Sequence, residues 1–424
     1  MVAYVPRIID RELDALLAEL PALALEGPRG VGKTTTALRR ASAVFRLDDP
    51  GQRELVAADP SQLDAGEGTV LVDEWQRHPP VWDHVRRRVD EGAPPARYLL
   101  TGSASPHEAP AHSGAGRIVP MRMRPLSLAE RGLAEPTVSM ARLLSGARPA
   151  IGGTTTMGLR DYVEEILASG LPGIRHLSGR ARRAQLDGYL AQVVERDFTD
   201  QGLRVRRPAT LRGWLAAYAA ATATTTGYTT LLGAAHPGET PWPAKTTTIA
   251  YRDVLSRLWL LDPVPGWLPG RGHLHRLTVA PKHHLADPAL SARLLGVDER
   301  ALLSGMPADP AVPRDGTLLG ALFESLVTMG VKVYAQANEA TVHHLRTKEG
   351  RHEVDLIVER ADHRVIALEV KLGSVSDAHD TRHLAWLAAE LGDDLLDSMV
   401  VTTGDRAYRR QDGIGVVPAV LLGA

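Results

Sequence analysis

The chain has 424 residues, of which 44% are hydrophobic and 23% charged, and its formal net charge is −1. This composition is that of an ordinary globular protein, and the length suggests about three domains. The chain contains no cysteine, which excludes a disulfide framework and thiolate metal sites, and its near-neutral charge argues against a globally basic nucleic-acid binder. The N-terminal residues lack the apolar core of a signal peptide, and no apolar run approaches the length of a membrane span. We therefore expect a cytoplasmic protein with no membrane partner.

Lysine is scarce in this sequence, since only six of the 49 basic residues are lysine: Lys33, Lys245, Lys282, Lys332, Lys348 and Lys371. A compact ammonium and a planar guanidinium are not interchangeable beside a phosphate or a reacting oxygen. Each lysine is therefore a candidate for a specific role, and Lys33 and Lys371 also lie in sequence motifs.

Residues 27–34, GPRGVGKT, match the phosphate-binding pattern G-x-x-x-x-G-K-[ST] at every fixed position. A glycine-rich loop between a strand and a helix directs backbone N–H groups at an anion. We expect Lys33 to reach the β- and γ-phosphates of ATP, and the Thr34 hydroxyl to hold Mg²⁺. The predicted nucleotide-binding residues of this loop are Gly27, Pro28, Arg29, Gly30, Val31, Gly32, Lys33, Thr34 and Thr35.

Two acids follow an apolar run, at Asp73 and Glu74. The first would help to hold Mg²⁺, and the second would orient and deprotonate the attacking water. A later strand ends in Thr101 and Ser103, either of which could contact the γ-phosphate, because the carboxyl ends of parallel strands face the ligand crevice. Arg117 precedes a further strand, where it is either an arginine finger that reaches a neighbouring subunit's nucleotide or an ordinary surface residue.

Around these motifs, hydrophobic patterns predict several elements. The predicted helices cover residues 10–20, 35–42 and 82–90, and the predicted strands cover residues 22–25, 44–47, 69–74, 97–100 and 116–123.

The strings GPRGVGKT, VLVDEWQRHPP, YLLTGSASP and GRIVPMRMRPLSLAE together resemble an AAA-type ATPase family found in many bacteria and archaea. In that family a C-terminal domain of unknown function, which looks like a nuclease fold, follows the ATPase. The resemblance covers essentially the whole chain. It implies phosphate and Mg²⁺ contacts by Lys33 and Thr34, an acidic pair at Asp73 and Glu74, a sensor at Ser103, and, through an arginine finger at Arg117, a homo-oligomer. No second sensor arginine is evident.

The middle of the chain reads as helical. Residues 134–157 are predicted as a connector and residues 229–232 as a loop, whereas the helices are predicted to begin near residue 159 and to cover 184–198, 211–223 and 245–260. The last helices suggest a winged-helix-like unit, which binds DNA in some proteins and only protein in others. Basic runs at residues 180–183 and 204–207 are the only signal for nucleic-acid contact. A metal site could be suggested by His283, His284 and Asp287, which lie close together in the sequence. We favour a structural role, because adjacent histidines cannot share one face of a helix.

The C-terminal segment begins with an amphipathic helix over residues 318–329, followed by strands over 352–359 and 365–371. A hairpin turn centred on Asp362 places Asp355 opposite Glu369, with Lys371 on the same face because strand side chains alternate. This set resembles the D…ExK signature of the restriction-endonuclease-like superfamily. In that superfamily such carboxylates bind Mg²⁺ and the lysine assists phosphodiester cleavage. Glu324 matches the helical acid that such folds place before the hairpin; the alternative is a salt-bridged strand pair without chemistry.

We therefore predict an α/β protein with three parts. Residues 1–135 form a P-loop AAA-type ATPase domain, residues 136–311 a helical linker with a winged-helix-like unit, and residues 312–424 an α/β restriction-endonuclease-like domain. The predicted function is Mg²⁺-dependent hydrolysis of ATP to ADP that drives or gates a nuclease-like domain acting on DNA or RNA. The alternative is a nucleotide-dependent switch or adaptor whose nuclease-like module is inactive.

Overall fold

The computed structural model of the chain describes residues 4–104, 114–203, 205, 207–235, 245–270, 279–304, 317–347, 350–374 and 377–424. Within these ranges a parallel sheet with its helices comes first, a helical middle follows, and a mixed sheet comes last.

Five apolar runs of the first part form strands: β1 (Ala22–Glu26), β2 (Ala43–Arg46), β3 (Val70–Asp73), β4 (Tyr98–Gly102) and β5 (Val119–Arg122). They pair in parallel in the order β2-β3-β4-β1-β5. In β1, Leu23 and Leu25 enter one hydrophobic core whereas Ala22 and Ala24 enter the other. Burial on both faces explains why the central strands β1, β3 and β4 are almost entirely apolar. The five predicted strands are confirmed.

The helices of this part are α1 (Ile9–Leu17), α2 (Lys33–Leu38), α3 (Pro50–Ala58) and α4 (Pro80–Asp90). Helix α2 starts two residues earlier and ends four residues earlier than predicted. Helix α3, which was not predicted, begins after Asp49, whose side chain accepts a hydrogen bond from the Gln52 N–H at 3.0 Å. An aspartate cap followed by proline is a strong helix start.

The predicted connector over residues 134–157 is wrong for part of its length, because it contains a short strand, β6 (Val138–Ser139), and a helix, α5 (Met140–Leu144). Met140, Leu143 and Leu144 of this helix enter the same core as residues of the C-terminal sheet. The segment is therefore packed against the C-terminal part of the chain.

The middle is built of helices. They are α6 (Leu159–Ala168), α7 (Pro172–Arg175), α8 (Gly179–Gln192), α9 (Phe198–Asp200), α10 (Pro208–Ala220), α11 (Tyr228–Ala234), α12 (Lys245–Arg257), α13 (Pro288–Leu294) and α14 (Glu299–Ser304). A π-helical turn, Val193–Asp197, joins α8 to α9. The loop predicted at residues 229–232 is wrong, because this stretch lies in α11, where Leu231 and Leu232 are buried. After α12 two antiparallel segments are bridged at Leu261–Leu285 and Val264–Lys282. The winged-helix-like unit stays a prediction.

The C-terminal sheet has seven strands: β7 (Gly266–Trp267), β8 (Thr341–Arg346), β9 (Glu353–Glu359), β10 (Val365–Val370), β11 (Leu395–Thr402), β12 (Tyr408–Arg409) and β13 (Gly415–Pro418). Their order is β12-β13-β11-β10-β9-β8-β7, so a strand from the middle segment forms one edge. Strand β14 (Leu422–Gly423) pairs in parallel with β6. The predicted hairpin register is confirmed, since β10 pairs with β9 from Val365–Glu359 to Leu368–Leu356.

Helix α15 (Thr317–Gln336) packs on this sheet, and α16 (Ala378–Leu391) also contacts it. Residues 318–336 have a mean hydropathy of 1.4 and are long enough to span a membrane, which corrects the sequence-based statement that no run approaches that length. A core helix meets the same criterion, and 72% of this apolar window is buried inside the protein. Leu322, Phe323 and Leu326 belong to the main C-terminal core.

Asp262 joins the three parts of the chain. Its carboxylate lies 2.8 Å from Arg124 Nε and 3.2 Å from an Arg122 guanidinium nitrogen, both near the end of β5, and 2.8 Å from Lys332 Nζ on α15. Burial alone would raise the pKa of Asp262, but Arg124, Lys332 and Arg122 hold it well below its usual range. The three cations thus share one buried anion.

We expect Asp262→Asn to reduce the free energy of unfolding by about 3–5 kcal/mol, because removing one partner leaves buried charges uncompensated. Urea unfolding of the variant and the wild-type protein measures the difference. Asp187→Asn is the control, since Asp187 pairs with Arg293 at the surface and such a pair contributes ~1 kcal/mol or less. Equal effects of the two substitutions would contradict the role given to Asp262.

Candidate functional site

The phosphate-binding loop lies between the end of β1 and the start of α2, as its motif predicts. Gly27 has φ +152°, and a Cβ there would lie 2.2 Å from the Met123 carbonyl oxygen. Gly32 has φ +104° and directly precedes α2. Both positions need glycine, the first because of close backbone approach and the second because of its left-handed conformation.

Lys33 is buried at the first position of α2 and folds back over the loop. Its ammonium donates hydrogen bonds to the carbonyl oxygens of Gly27 at 2.8 Å and Pro28 at 3.0 Å. Burial lowers the pKa of Lys33 to about 8, although the carboxylates of Glu74 and Asp73 act in the opposite direction. The lysine thus contacts the loop carbonyls and lies close enough to both predicted acids for their charges to act on it.

Thr34 and Asp73 meet at the edge of the sheet where β3 ends. The Thr34 hydroxyl donates to Asp73 Oδ1 at 2.7 Å, and the Thr101 hydroxyl from neighbouring β4 donates to the same oxygen. Hydroxyl and carboxylate oxygens are ligands that Mg²⁺ prefers. This donor set therefore fits the predicted metal. Of the two predicted sensor candidates, Thr101 contacts Asp73 and Ser103 contacts Glu74.

Glu74 follows β3 with φ +55°, a left-handed conformation that is uncommon outside glycine. Its carboxylate accepts hydrogen bonds from the Ser103 hydroxyl and from the Gln76 side-chain amide, the latter at 2.6 Å. The two predicted residues Glu74 and Ser103 are therefore in contact. Gln76 was not predicted, although its position two residues after the acid is the kind of signal that could have found it.

Arg29 of the loop and Arg77, which follows β3, pair with acids of the helical middle. Arg29 lies 3.2 Å from Asp197, and Arg77 lies 3.1 Å from Asp200. Together with Ser103 these residues line a cavity of about 70 Å³. Burial raises the pKa of Asp197, which stands in the π-helical turn. No sequence motif marked Asp197 or Asp200.

A larger cavity of about 490 Å³ lies on the other side of the start of α2 and is lined by Gly32, Thr35 and Thr36. It also contains residues that the motifs did not reveal, namely Tyr4, Arg7, Arg131, Arg175 and Arg182. Arg175 is held by Glu165 at 2.6 Å. The sequence showed no second sensor arginine; of the arginines that line this cavity, Arg175 and Arg182 belong to the helical middle.

Arg117 lies at the surface, away from the contacts just described. Its guanidinium pairs with Asp90 at 2.8 Å and also donates to the Ala115 carbonyl oxygen. A role in a neighbouring subunit's site therefore stays a prediction.

The C-terminal acids gather at one end of the β9–β10 hairpin. Asp355 and Glu369 are buried, and Lys371 lies 2.8 Å from Glu369. Lys282, one of the six scarce lysines but not predicted for this site, places its ammonium 2.8 Å from Asp355 and 2.9 Å from Glu324. Among the described residues, no group of three or more His, Cys, Asp or Glu side chains is arranged to hold a metal ion. The metal role of Glu324, Asp355 and Glu369 therefore stays a prediction, and in this structure the Lys282 ammonium contacts two of the three acids.

Asp287 and His283 have structural contacts, whereas His284 is buried and its two ring nitrogens have no hydrogen-bond partner among the described residues. Asp287 accepts hydrogen bonds from the Ser169 hydroxyl at 2.6 Å and from the Gly170 and Ala289 N–H groups. One ring nitrogen of His283 lies 2.7 Å from the Thr226 carbonyl oxygen. These contacts agree with the structural role expected from the sequence.

Family comparisons match three segments of the chain. Residues 19–131 match the AAA domain family, and residues 159–301 and 319–422 match two domains of unknown function, DUF8612 and DUF4143. Residues 19–131 form an AAA domain. The predicted AAA-type ATPase domain, followed by a C-terminal domain of unknown function, is thereby confirmed, whereas the nuclease-like fold of the C-terminal part stays a prediction.

Two similar proteins are the uncharacterized proteins Mb2031c of Mycobacterium bovis and Rv2008c of Mycobacterium tuberculosis. Each is 27% identical to this chain over 412 residues, which cover 95% of this chain and 81% of the relative. Among solved structures, the Walker-type ATPase PABY2304 of Pyrococcus abyssi aligns with a TM-score of 0.40 and 16% identity over 67% of this chain and 94% of its own. The ORC2 protein of Aeropyrum pernix aligns with a TM-score of 0.22 and 16% identity, covering 78% and 97%.

We expect Gly27→Ala to weaken binding of a fluorescent ATP analogue by roughly tenfold or more, about 1.4 kcal/mol. The added methyl group would overlap the Met123 carbonyl oxygen and displace the loop whose N–H groups face the phosphates. A fluorescence titration measures the dissociation constant. Gly188→Ala is the control, because a Cβ at that position meets nothing within 4 Å, and binding as tight as wild type in Gly27→Ala would contradict the loop's role.

Proposed function

We propose that the AAA domain binds Mg²⁺·ATP in its phosphate-binding loop and hydrolyses it to ADP. The observation that carries this proposal is the meeting of loop and acids at one sheet edge: Thr34 donates to Asp73, and Lys33 lies between the loop carbonyls and the acidic pair. A phosphate-binding loop alone would support binding only. The added acid pair supports hydrolysis.

In this proposal each residue has a separate task. Backbone N–H groups of the loop and the start of α2 bind the phosphates, and the Lys33 ammonium moves from the loop carbonyls to the β- and γ-phosphate oxygens. Thr34 and Asp73 would hold Mg²⁺, which neutralises phosphate charge when it is bound with ATP. The larger cavity beside Thr35 and Thr36 is the space for the base and ribose.

Glu74 is the proposed general base. Ser103 and Gln76 each donate to one of its carboxylate oxygens, which fixes the direction in which the remaining lone pairs point. A carboxylate held in this way can accept a proton from a water that attacks the γ-phosphate. Ser103 would therefore act by positioning Glu74, with a direct contact to the phosphate as the alternative expected from the sequence.

The C-terminal module is proposed to respond to this ATPase. The alignment of Asp355, Glu369 and Lys371 on one hairpin face supports a nuclease-like module acting on DNA or RNA. The second candidate, a nucleotide-dependent switch whose module does not cleave, is favoured by a specific observation, namely the Lys282 ammonium held by Glu324 and Asp355.

Glu74→Gln should retain ATP binding and lose turnover by about 10²–10⁴-fold, the usual contribution of a general base. Phosphate release under saturating Mg²⁺·ATP measures turnover, and the fluorescent analogue measures binding. Glu91→Gln is the control, since Glu91 is a surface residue paired with Arg88 on α4. Wild-type turnover in Glu74→Gln would remove this residue from its proposed role.

A homo-oligomer with Arg117 as an arginine finger can be tested with a matched pair of variants. Arg117 and Arg86 both pair with Asp90, at the same 2.8 Å, so Arg117→Ala and Arg86→Ala perturb the same acid. We expect only Arg117→Ala to lower turnover strongly, by up to about 10³-fold. When Arg117→Ala subunits are mixed with wild-type subunits, we expect the loss of turnover to exceed the fraction of mutant subunits. A fully active monomer, measured by light scattering with turnover, would exclude the finger.

A further inference from the structure

Lys282 reaches the C-terminal acids from the middle segment of the chain. Its backbone pairs with Val264 in both directions at 2.9 Å, and its side chain is almost completely buried. The ammonium lies 2.8 Å from Asp355 Oδ1, 2.9 Å from Glu324 Oε1 and 3.4 Å from Glu353 Oε1. One tethered cation is thus surrounded by three carboxylates of the C-terminal part.

The electrostatics of this cluster hold the lysine charged. Burial alone would lower the pKa of Lys282, but Asp355, Glu324 and Glu353 raise it well above its usual range. An ammonium is a compact point charge with three donors, so it can contact several carboxylates at once. A buried charge of this kind is retained only when its partners compensate it.

Glu369 provides a second, independent observation at the same place. It is 95% buried, and its Oε2 atom has no hydrogen-bond partner in the part of the chain that the structure describes. Burial and the nearby Asp355 raise the pKa of Glu369 to about 8, while Lys371 opposes this effect. The cluster therefore holds more buried acceptor oxygens than Lys282 and Lys371 satisfy.

These oxygens are the ligands of a hard divalent cation, yet the described carboxylates are not arranged as a metal site. We propose that Lys282 is a built-in counter-cation that occupies the C-terminal carboxylate cluster and excludes a divalent cation until it is withdrawn. The inference rests on the proposed control of the C-terminal module, which it explains as an autoinhibitory contact. A divalent cation that replaced Lys282 would gain Glu369 Oε2, which has no hydrogen-bond partner among the described residues, as a ligand.

A continuous set of contacts connects this lysine to the nucleotide loop. Gly27 packs against the Met123 carbonyl, and the flanking Arg122 and Arg124 bind Asp262. Asp262 stands on the segment that pairs with the Lys282 segment, where its N–H donates to the His284 carbonyl oxygen at 2.9 Å. A shift of this segment pair would displace Lys282 from the acids. These contacts could transmit a movement of the nucleotide loop to Lys282. The exclusion of a divalent cation by Lys282 is tested by measuring metal binding.

The experiment measures Mn²⁺ binding to the full chain by electron paramagnetic resonance, without nucleotide. We expect Lys282→Met to bind one more Mn²⁺ per chain than wild type, and Asp355→Asn in that background to remove the gain. Lys371→Met is the matched control, because it removes the other ammonium from the cluster while Lys282 stays in place, and we expect no gain. Where Lys282→Met does not fold alone, Mn²⁺ should restore its cooperative thermal transition.

Two results would overturn the inference. The first is a Lys282→Met protein that neither binds the additional Mn²⁺ nor is restored by it. The second is a wild-type protein that already binds a Mn²⁺ which Asp355→Asn removes, since Lys282 would then exclude nothing. The proposed nuclease activity can fail separately. If Lys282→Met binds Mn²⁺ at Asp355 but cleaves neither labelled DNA nor labelled RNA, the counter-cation role of Lys282 is supported and the nuclease activity is contradicted.

Discussion

Charge taken out of water must be compensated nearby, and this constraint decides how the three parts of the chain meet. Asp262 contributes the anion, the strand end of the AAA domain contributes Arg122 and Arg124, and the core helix of the C-terminal part contributes Lys332. Each partner would be a costly unpaired charge if its neighbours moved apart. The contact therefore favours joint movement of the parts over independent movement.

Two other buried lysines satisfy the same constraint in different ways. Lys33 is held by backbone carbonyls, which are neutral and easily exchanged for phosphate oxygens. Lys282 is held by carboxylates. Buried carboxylates need a nearby positive charge, so Lys282 can leave them only if another cation takes its place. In the proposed mechanism Lys33 exchanges its ligands at each ATP turnover, which neutral partners permit. The proposed release of Lys282 instead requires another cation to compensate the carboxylates that it leaves.

Sequence reasoning succeeded where the physics is local. The loop at residues 27–34 has fixed spacing, and the β9–β10 register follows from a short turn and the two-residue period of strands. It failed where distant segments meet: residue 282 lies 42 positions before Glu324 and 73 before Asp355, and no local pattern links them. Residues 229–232 form a helix despite their threonines, because packing of Leu231 and Leu232 outweighs local propensity. Asp197 and Arg175 were missed because only tertiary contacts bring them to the site, whereas Gln76 lies two residues after Glu74 and was missed although its position is local.

The scarcity of lysine gives these buried ammonium groups a practical consequence. Lys33, Lys282 and Lys332 are buried, and the Lys371 side chain is about one-third exposed at 34%. Amine-directed reagents therefore find little to modify on the described surface. Where they do react, a modified Lys33, Lys282 or Lys332 marks the opening of one particular contact: the nucleotide loop, the C-terminal acids or the Asp262 junction. These three lysines are thus chemical reporters for three separate contacts of the described structure.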